Sequence, residues 1–157
     1  MIERKDLLLT IIDGMPEKDI DPYHSVHTIV YLVDRMLKKN YEQTTDFKFS
    51  EFTSHAGPYD KELQSFLDSL QTLGFIDNRY SPKLTERGKN YLKNTGTKRL
   101  EEALGSEEGI KWLNIYVKEF SANPKYAIED SVLLWSKDNP HKIDEMSEFF
   151  PFLKENN

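Results

Sequence analysis

Apolar positions along the chain fall into runs of different period, and each period predicts an element. Leu7, Leu8, Ile11 and Ile12 keep helical spacing until Gly14, Pro16 and Pro22 break it, which predicts a first helix and a loop. Val26, Ile29, Val30, Val33, Met36 and Leu37 then form one apolar stripe. Ser25 stands near its start, and Lys38 and Lys39 suit the negative end of a helix dipole, so a second helix follows. In "YEQTTDFKFSEF" the period drops to two, because Phe47 and Phe49 alternate with Lys48 and Ser50; this predicts a short strand.

The stretch "HAGPYDKELQSFLDSLQTLGFI" is denser in signals. Pro58 is expected at or near the first turn of a helix, where its missing N–H costs nothing, and Asp60 and Glu62 lie where acids favour a helix start. Leu63, Phe66, Leu67, Leu70 and Leu73 make the helix strongly amphipathic, and Gly74 ends it. Phe75 and Ile76 then open a strand, a polar turn runs from about Asp77 to Pro82, and the chain returns through Leu84. Another helix begins near Thr85, which would cap it, with Tyr91 and Leu92 on its apolar side. The predicted fold class is therefore mainly α with a small β-hairpin, organised as a winged-helix-like domain over residues 1–96.

Residues 97–157 read as a helical C-terminal extension, packed on the first domain or dimerising. From Ile110 to Phe120 one face carries Ile110, Leu113, Val117 and Phe120, while Trp112, Ile115 and Tyr116 make the helix apolar nearly all round, so contacts on two sides are expected. A further helix runs from about Tyr126 to Trp135 between Pro124 and Pro140. The tail "EMSEFFPFLKENN" either closes its own core or inserts into a groove on a neighbour.

Composition narrows the class. A chain of 157 residues with 38% hydrophobic and 31% charged positions suits a globular domain able to bury a core. The absence of cysteine excludes disulfides, thiolate zinc sites and cysteine nucleophiles. The apolar run from Leu7 to Ile12 is too short for a secretory signal, and nothing approaches a membrane span, so no membrane contact and a cytoplasmic location are expected. The net charge of −6 speaks against nucleic acid until its distribution is read. Residues 79–100 hold seven cations, Arg79, Lys83, Arg87, Lys89, Lys93, Lys98 and Arg99, against the single anion Glu86, and each flank stands at −6.

The segments "TIVYLVDR", "FKFSEFTSHAGPYDKEL", "LQTLGFI" and "KLTERGKNYL" together resemble the YwgA-like family, and more distantly the SocA/Panacea-type antitoxin domains with their Tyr-Gly-Pro motif. The likeness covers about Lys5 to Asn94 and rests chiefly on Gly57-Pro58-Tyr59. It implies a helical protein with a winged-helix-like core and brings no biochemical activity. The chain departs from the family in "YHSVHTIVYL", where a basic residue and a Leu-Gln pair usually open the second helix. It departs again at Asp60, which replaces a serine and is a conservative change if the position caps a helix.

Candidate chemistry is sparse. His24 and His27, three apart with Asp21 nearby, could share a metal, but a third ligand is not evident and two half-exposed histidines describe them as well. No phosphate-cradling glycine loop, nucleophile elbow or zinc pattern is present, and neither an enzyme nor a cofactor is expected. The basic stretch offers a DNA-binding regulator of winged-helix type. Arg79, Tyr80 and Lys83 would form the wing, and Arg87, Lys89 and Lys93 the next helix, all laid along the phosphates of double-stranded DNA. The same cations equally describe a solvated face, or one lying against the chain's own acids. Moreover, the helix before the wing carries one cation, Lys61, against Asp60, Glu62 and Asp68, which suits a duplex poorly. The rival reading is a non-enzymatic protein-interaction module, antitoxin-like or phage-related by resemblance. It would present His55 and Tyr59 at the Gly-Pro-Tyr turn and Trp112, Tyr116 and Trp135 on the C-terminal helices to a protein partner or a second copy in a homodimer.

Overall fold

In a computed structural model the chain is described over residues 1–16 and 22–155, with the backbone alone described over 22–24. Asp21 and the side chain of His24 lie outside the described residues. The fold is mainly α with a small antiparallel β-hairpin. Helix α1, Arg4–Gly14, buries every residue from Asp6 to Ile12, with Leu7, Leu8, Leu9, Ile11 and Ile12 on a wide apolar arc and Asp6 and Thr10 on the remainder, as in a helix enclosed by its neighbours. Helix α2, Pro22–Tyr41, lays Val26, Ile29, Val30, Val33 and Leu37 against it and ends on Lys38 and Lys39.

The chain next enters residues 42–50 without a strand. Phe47 is buried and Phe49 half-buried, but the Lys48 N–H donates to Asp60 Oδ2 at 2.7 Å, and Asp46 takes a left-handed φ of 62°. The alternation there orients side chains and makes no ladder. Pairing begins one residue later: β1, Glu51–Thr53, runs antiparallel to β2, Gly57–Tyr59, with Phe52 opposite Pro58. Pro58 thus sits in a strand, not in the first turn of a helix. Gly57 is required there, since its φ is +75° and an added Cβ would lie 2.8 Å from Val132 Cγ2.

Helix α3, Lys61–Thr72, starts on Asp60, whose Oδ1 accepts from the Glu62 N–H at 2.8 Å. It stops in a Schellman turn, where the Phe75 N–H reaches Leu70 O at 2.9 Å and the Gly74 N–H reaches Gln71 O at 3.0 Å, with Gly74 at φ +83°. The expected two-stranded wing shrinks to a loop. A single bridge joins Ile76 to Leu84, flanked by hydrogen bonds from the Asp77 N–H to Lys83 O and from the Thr85 N–H to Phe75 O, both 3.1 Å. Asp77, Asn78 and Gln71 side chains hold the loop's N–H groups, which leaves little backbone free for a longer ladder.

Thr85 caps α4, Glu86–Tyr91, accepting from the Gly88 N–H at 3.1 Å while donating to Gly74 O at 2.6 Å, so one hydroxyl joins the end of α3 to the start of α4. The helix does not end at Tyr91. It passes through a π-turn, Leu92–Gly96, into α5, Thr97–Leu104, and so runs unbroken through residue 96. The π-turn sets the register of α5. At about 100° per residue, Leu100 and Leu104 would lie about 80° and 120° away from Leu92; looping out one residue brings both within about 20° of it. All three are buried in the cluster that also holds α1 and α2.

Helices α6, Glu107–Ala122, and α7, Pro124–Asp138, complete the fold, with short helices α8, Ile143–Met146, and α9, Phe152–Glu155. Leu113 and Val117 of α6 join the first core cluster, so residues on both sides of 96 build it. Trp112 and Ile115 stay exposed, so α6 is covered on one side where the sequence predicts two. A second cluster gathers Tyr31, Leu32, Val132, Trp135, Met146, Phe150 and Leu153, and here the tail closes the chain's own core. No described helix is long and apolar enough to cross a membrane.

The register argument yields a test by urea unfolding. Deleting Asn94, exposed in the π-turn, converts the segment to plain α-helix with Leu100 and Leu104 still facing inward, at a cost of no more than about 3 kcal/mol. Inserting an alanine after Lys98 keeps the π-turn but swings both leucines out, and costs about 4 kcal/mol or more. Equal costs would refute the register role.

Candidate functional site

The expected nucleic-acid residues lie on the 75–84 loop and along α4, and the structure divides them. Arg79 is committed: its Nη1 meets Asp68 Oδ1 at 3.1 Å, its Nη2 donates to the Tyr80 hydroxyl at 2.7 Å, and its guanidinium stacks on the Tyr80 ring at 4.7 Å. Tyr80 is exposed at the loop tip. Lys83, Arg87, Lys89, Lys93 and Lys98 are all exposed, and among the described residues none of them forms an ion pair. Arg99 is committed like Arg79, reaching Glu3 Oε1 at 3.2 Å and Asp6 Oδ2 at 3.3 Å.

Helix geometry then separates Arg87 from the two lysines beyond it. Arg87 and Lys89 are two residues apart, about 200° around the axis, and so face opposite ways. Arg87 turns to the Phe75 ring, 4.7 Å from its centroid, where Lys5 of α1 also sits, 3.7 Å from the same ring and 3.9 Å from that of Tyr91. Burial, with Arg87 and Arg99 nearby, holds the Lys5 ammonium below its ordinary pKa despite Asp6 beside it. Lys89 and Lys93, one turn apart, face the other way, into an open groove of about 440 Å³ between α1, the helical segment 86–104 and α6. Lys118 of α6 lines the same groove, as does one carboxylate, Asp13.

Behind Arg87 lies the charged group most deeply withdrawn from water on this side. Asp6 is 1% exposed, accepts a hydrogen bond from the Tyr91 hydroxyl and is met by Arg99. Burial holds its carboxyl above the ordinary carboxylate value, against the opposing pull of Tyr91 and Arg99; burial and the Asp6 hydrogen bond push the Tyr91 hydroxyl up to about 12. Gly96 of the π-turn makes room for this pair, since a Cβ there would lie 3.4 Å from Asp6 Oδ1 and 2.9 Å from Leu92 Cδ2.

The expected partner-binding residues are not one surface. Trp135 is a core residue, 2% exposed, its indole N–H donated to Phe49 O and its ring against Phe52. Tyr59 is half-buried, stacked on the buried His27 ring at 4.7 Å and hydrogen-bonded to Gln64. His55 is exposed in the hairpin turn, its Nδ1 3.2 Å from Ser54 Oγ. Trp112 and Tyr116 do come together, ring centroids 6.4 Å apart, beside Met36, Asn40 and Tyr41. Along α2, His27 under Tyr59 and Tyr41 beside Trp112 are about 21 Å apart at 1.5 Å per residue. Among the described residues no group of three or more His, Asp or Glu is placed to hold a metal ion, and His27 faces a tyrosine ring.

Sequence reasoning missed Lys5, Asp13, Asn114 and Lys118. Ile110, Asn114 and Lys118 recur every four residues, a signal for one flank of α6, but nothing in the sequence says that this flank meets α4. Comparison of the chain with protein-family models, with curated proteins and with solved structures finds no match.

The raised Asp6 carboxyl has a signed consequence. Because the folded state holds this proton more tightly than the unfolded state, the group favours folding increasingly as pH falls through its raised value towards about 4, and that gain is lost as pH rises. The stability of the native chain minus that of Asp6→Asn, measured by urea unfolding, is therefore larger at pH 5 than at pH 7.5. A difference that is flat or of opposite slope would show that Asp6 is not a net-desolvated carboxyl.

Proposed function

We propose that the protein is a non-enzymatic, winged-helix-like DNA-binding regulator that contacts the phosphates of a duplex with its 75–84 loop and the helix after it. One observation carries this reading: Lys83 on the loop and Lys89 and Lys93 along the helical segment 86–104 are exposed and are not spent on ion pairs with described residues, nor is Arg87 on the Phe75 side of the same segment. Charges already paired have little left to offer a phosphate, whereas exposed, unpaired cations gain by displacing counterions. The acidic character of α3 is also weaker than its sequence implies. Asp60 is turned inward to the Lys48 and Glu62 N–H groups, Asp68 is paired with Arg79, and Glu62 with Arg4 at 3.2 Å. Arg79 accordingly serves to fix the loop and Tyr80, leaving Lys83 as its exposed, unpaired cation.

A second reading is favoured by the patch on α6. Trp112 is 52% exposed and Ile115 45%, beside a shallow aromatic groove of about 280 Å³ that includes Tyr41 and Tyr116. Two large exposed apolar side chains nearly one turn apart on one helix suit a protein partner or a second copy. This reading needs none of the lysines.

The two separate cleanly. Anisotropy of a fluorescent mixed-sequence duplex, read across a salt series, should show binding whose logarithm falls with log salt at a slope near −3 if Lys83, Lys89 and Lys93 reach phosphates, at about 0.9 per contact. Lys89→Glu with Lys93→Glu should abolish it, while Trp112→Ala leaves it unchanged. Absence of binding at low salt, or binding untouched by the double substitution, would reject the duplex reading; loss of self-association in Trp112→Ala by light scattering would support the other.

A further inference from the structure

We propose that the groove between α1, the helical segment 86–104 and α6 is a binding site for a small phosphomonoester bearing hydroxyl groups, a sugar phosphate in chemical class. Lys89 and Lys93 line one wall and Lys118 the other, so three lysines of two separate helical segments border one space. No acid among the described residues pairs with any of them. Among the described residues Asp13 is the single carboxylate on the lining, and with the three lysines these contribute about +2, the complement of a phosphomonoester at about −1.5 to −2 near neutrality.

Shape and lining decide between a polymer and a small ligand. A volume of about 440 Å³ falls in the range of small-molecule sites, and a convex duplex would reach Lys89 and Lys93 at its rim without filling it. No aromatic side chain among the described residues lines it, so these offer a nucleobase nothing to stack on. Leu92 and Ile110 give it an apolar floor, and the exposed Asp13 and half-buried Asn114 are placed to meet ligand hydroxyls. Phosphate on the lysines and hydroxyls on Asp13 and Asn114 use every charged group on the lining. The site stands whether or not a duplex binds, because Lys118 lies off the 75–84 loop and α4.

Titration calorimetry at constant ionic strength tests it with glucose 6-phosphate, inorganic phosphate and glucose as probes. The expected result is saturable one-to-one binding of glucose 6-phosphate, weaker binding of inorganic phosphate and none of glucose. Lys118→Gln, a change at an exposed position whose unfolding midpoint should match the native chain, weakens glucose 6-phosphate at least tenfold. Asp13→Asn removes the preference over inorganic phosphate. Lys83→Glu, outside the groove, leaves the titration unchanged while weakening duplex binding, so failure here and failure of the duplex reading are told apart. No saturable binding, or binding indifferent to Lys118→Gln, overturns the site; equal affinity for the two phosphates overturns the sugar part of the assignment.

Discussion

Everything in this fold is arranged around the enclosure of α1. An eleven-residue helix with Leu7, Leu8, Leu9, Ile11 and Ile12 all buried has no solvent face to spare, so other elements must cover every side of it. Helix α2, the segment 92–104 and α6 do so, which is why residues far apart in the chain share one cluster. Full burial also traps the acid near its start. Asp6 can stay there only because Tyr91 and Arg99 arrive to receive its oxygens, and the π-turn with Gly96 is the local distortion that lets the covering helix come close enough.

The same distortion shapes the charged surface. A regular helix from Glu86 onward would misplace either the leucines that cover α1 or the lysines at its outer flank. Looping out one residue lets Leu92, Leu100 and Leu104 keep one inward face while Lys89 and Lys93 hold the groove side. Arg87, half a turn away, is drawn to the Phe75 ring with Lys5, so one aromatic ring meets two cations. A stretch that reads as one basic run is thus two surfaces set back to back.

Local chemistry was legible in the sequence wherever a few neighbouring residues decide the outcome. Gly74 as a stop, Thr85 as a cap and the Val26 to Leu37 stripe are all written in neighbouring turns, and the helix read from about Tyr126 begins at its bracketing Pro124. The strand at Phe47 and Phe49 misled because alternation reports only that side chains point to opposite sides; whether a ladder forms depends on a partner, and here Asp60 takes the Lys48 N–H instead. Trp135 misled because aromatic size says nothing of direction, and only the packing of β1 and the tail on α7 turns it inward. The π-turn was illegible for a stronger reason, since the core that Leu92, Leu100 and Leu104 must reach is built with α1, some ninety residues earlier. The groove was illegible likewise, because its two walls are joined only by packing on α1.

In the two proposals Lys89 and Lys93 would serve both a duplex and the groove, and that sharing fixes the sign of any coupling between them. A phosphate seated between Lys89, Lys93 and Lys118 would withdraw two of the three lysines that the duplex reading engages, and at about 0.9 of salt slope per contact the one remaining would hold a polymer only weakly. Thermodynamic reciprocity requires the converse, that a bound duplex weakens the small anion by the same factor. The coupling needs no conformational change, because it arises from two ligands drawing on the same charges. Lys118, fixed to α6 by the burial of Leu113 and Val117, is the one cation of the three that the duplex leaves to the groove, and so the one that makes the small ligand's site distinct.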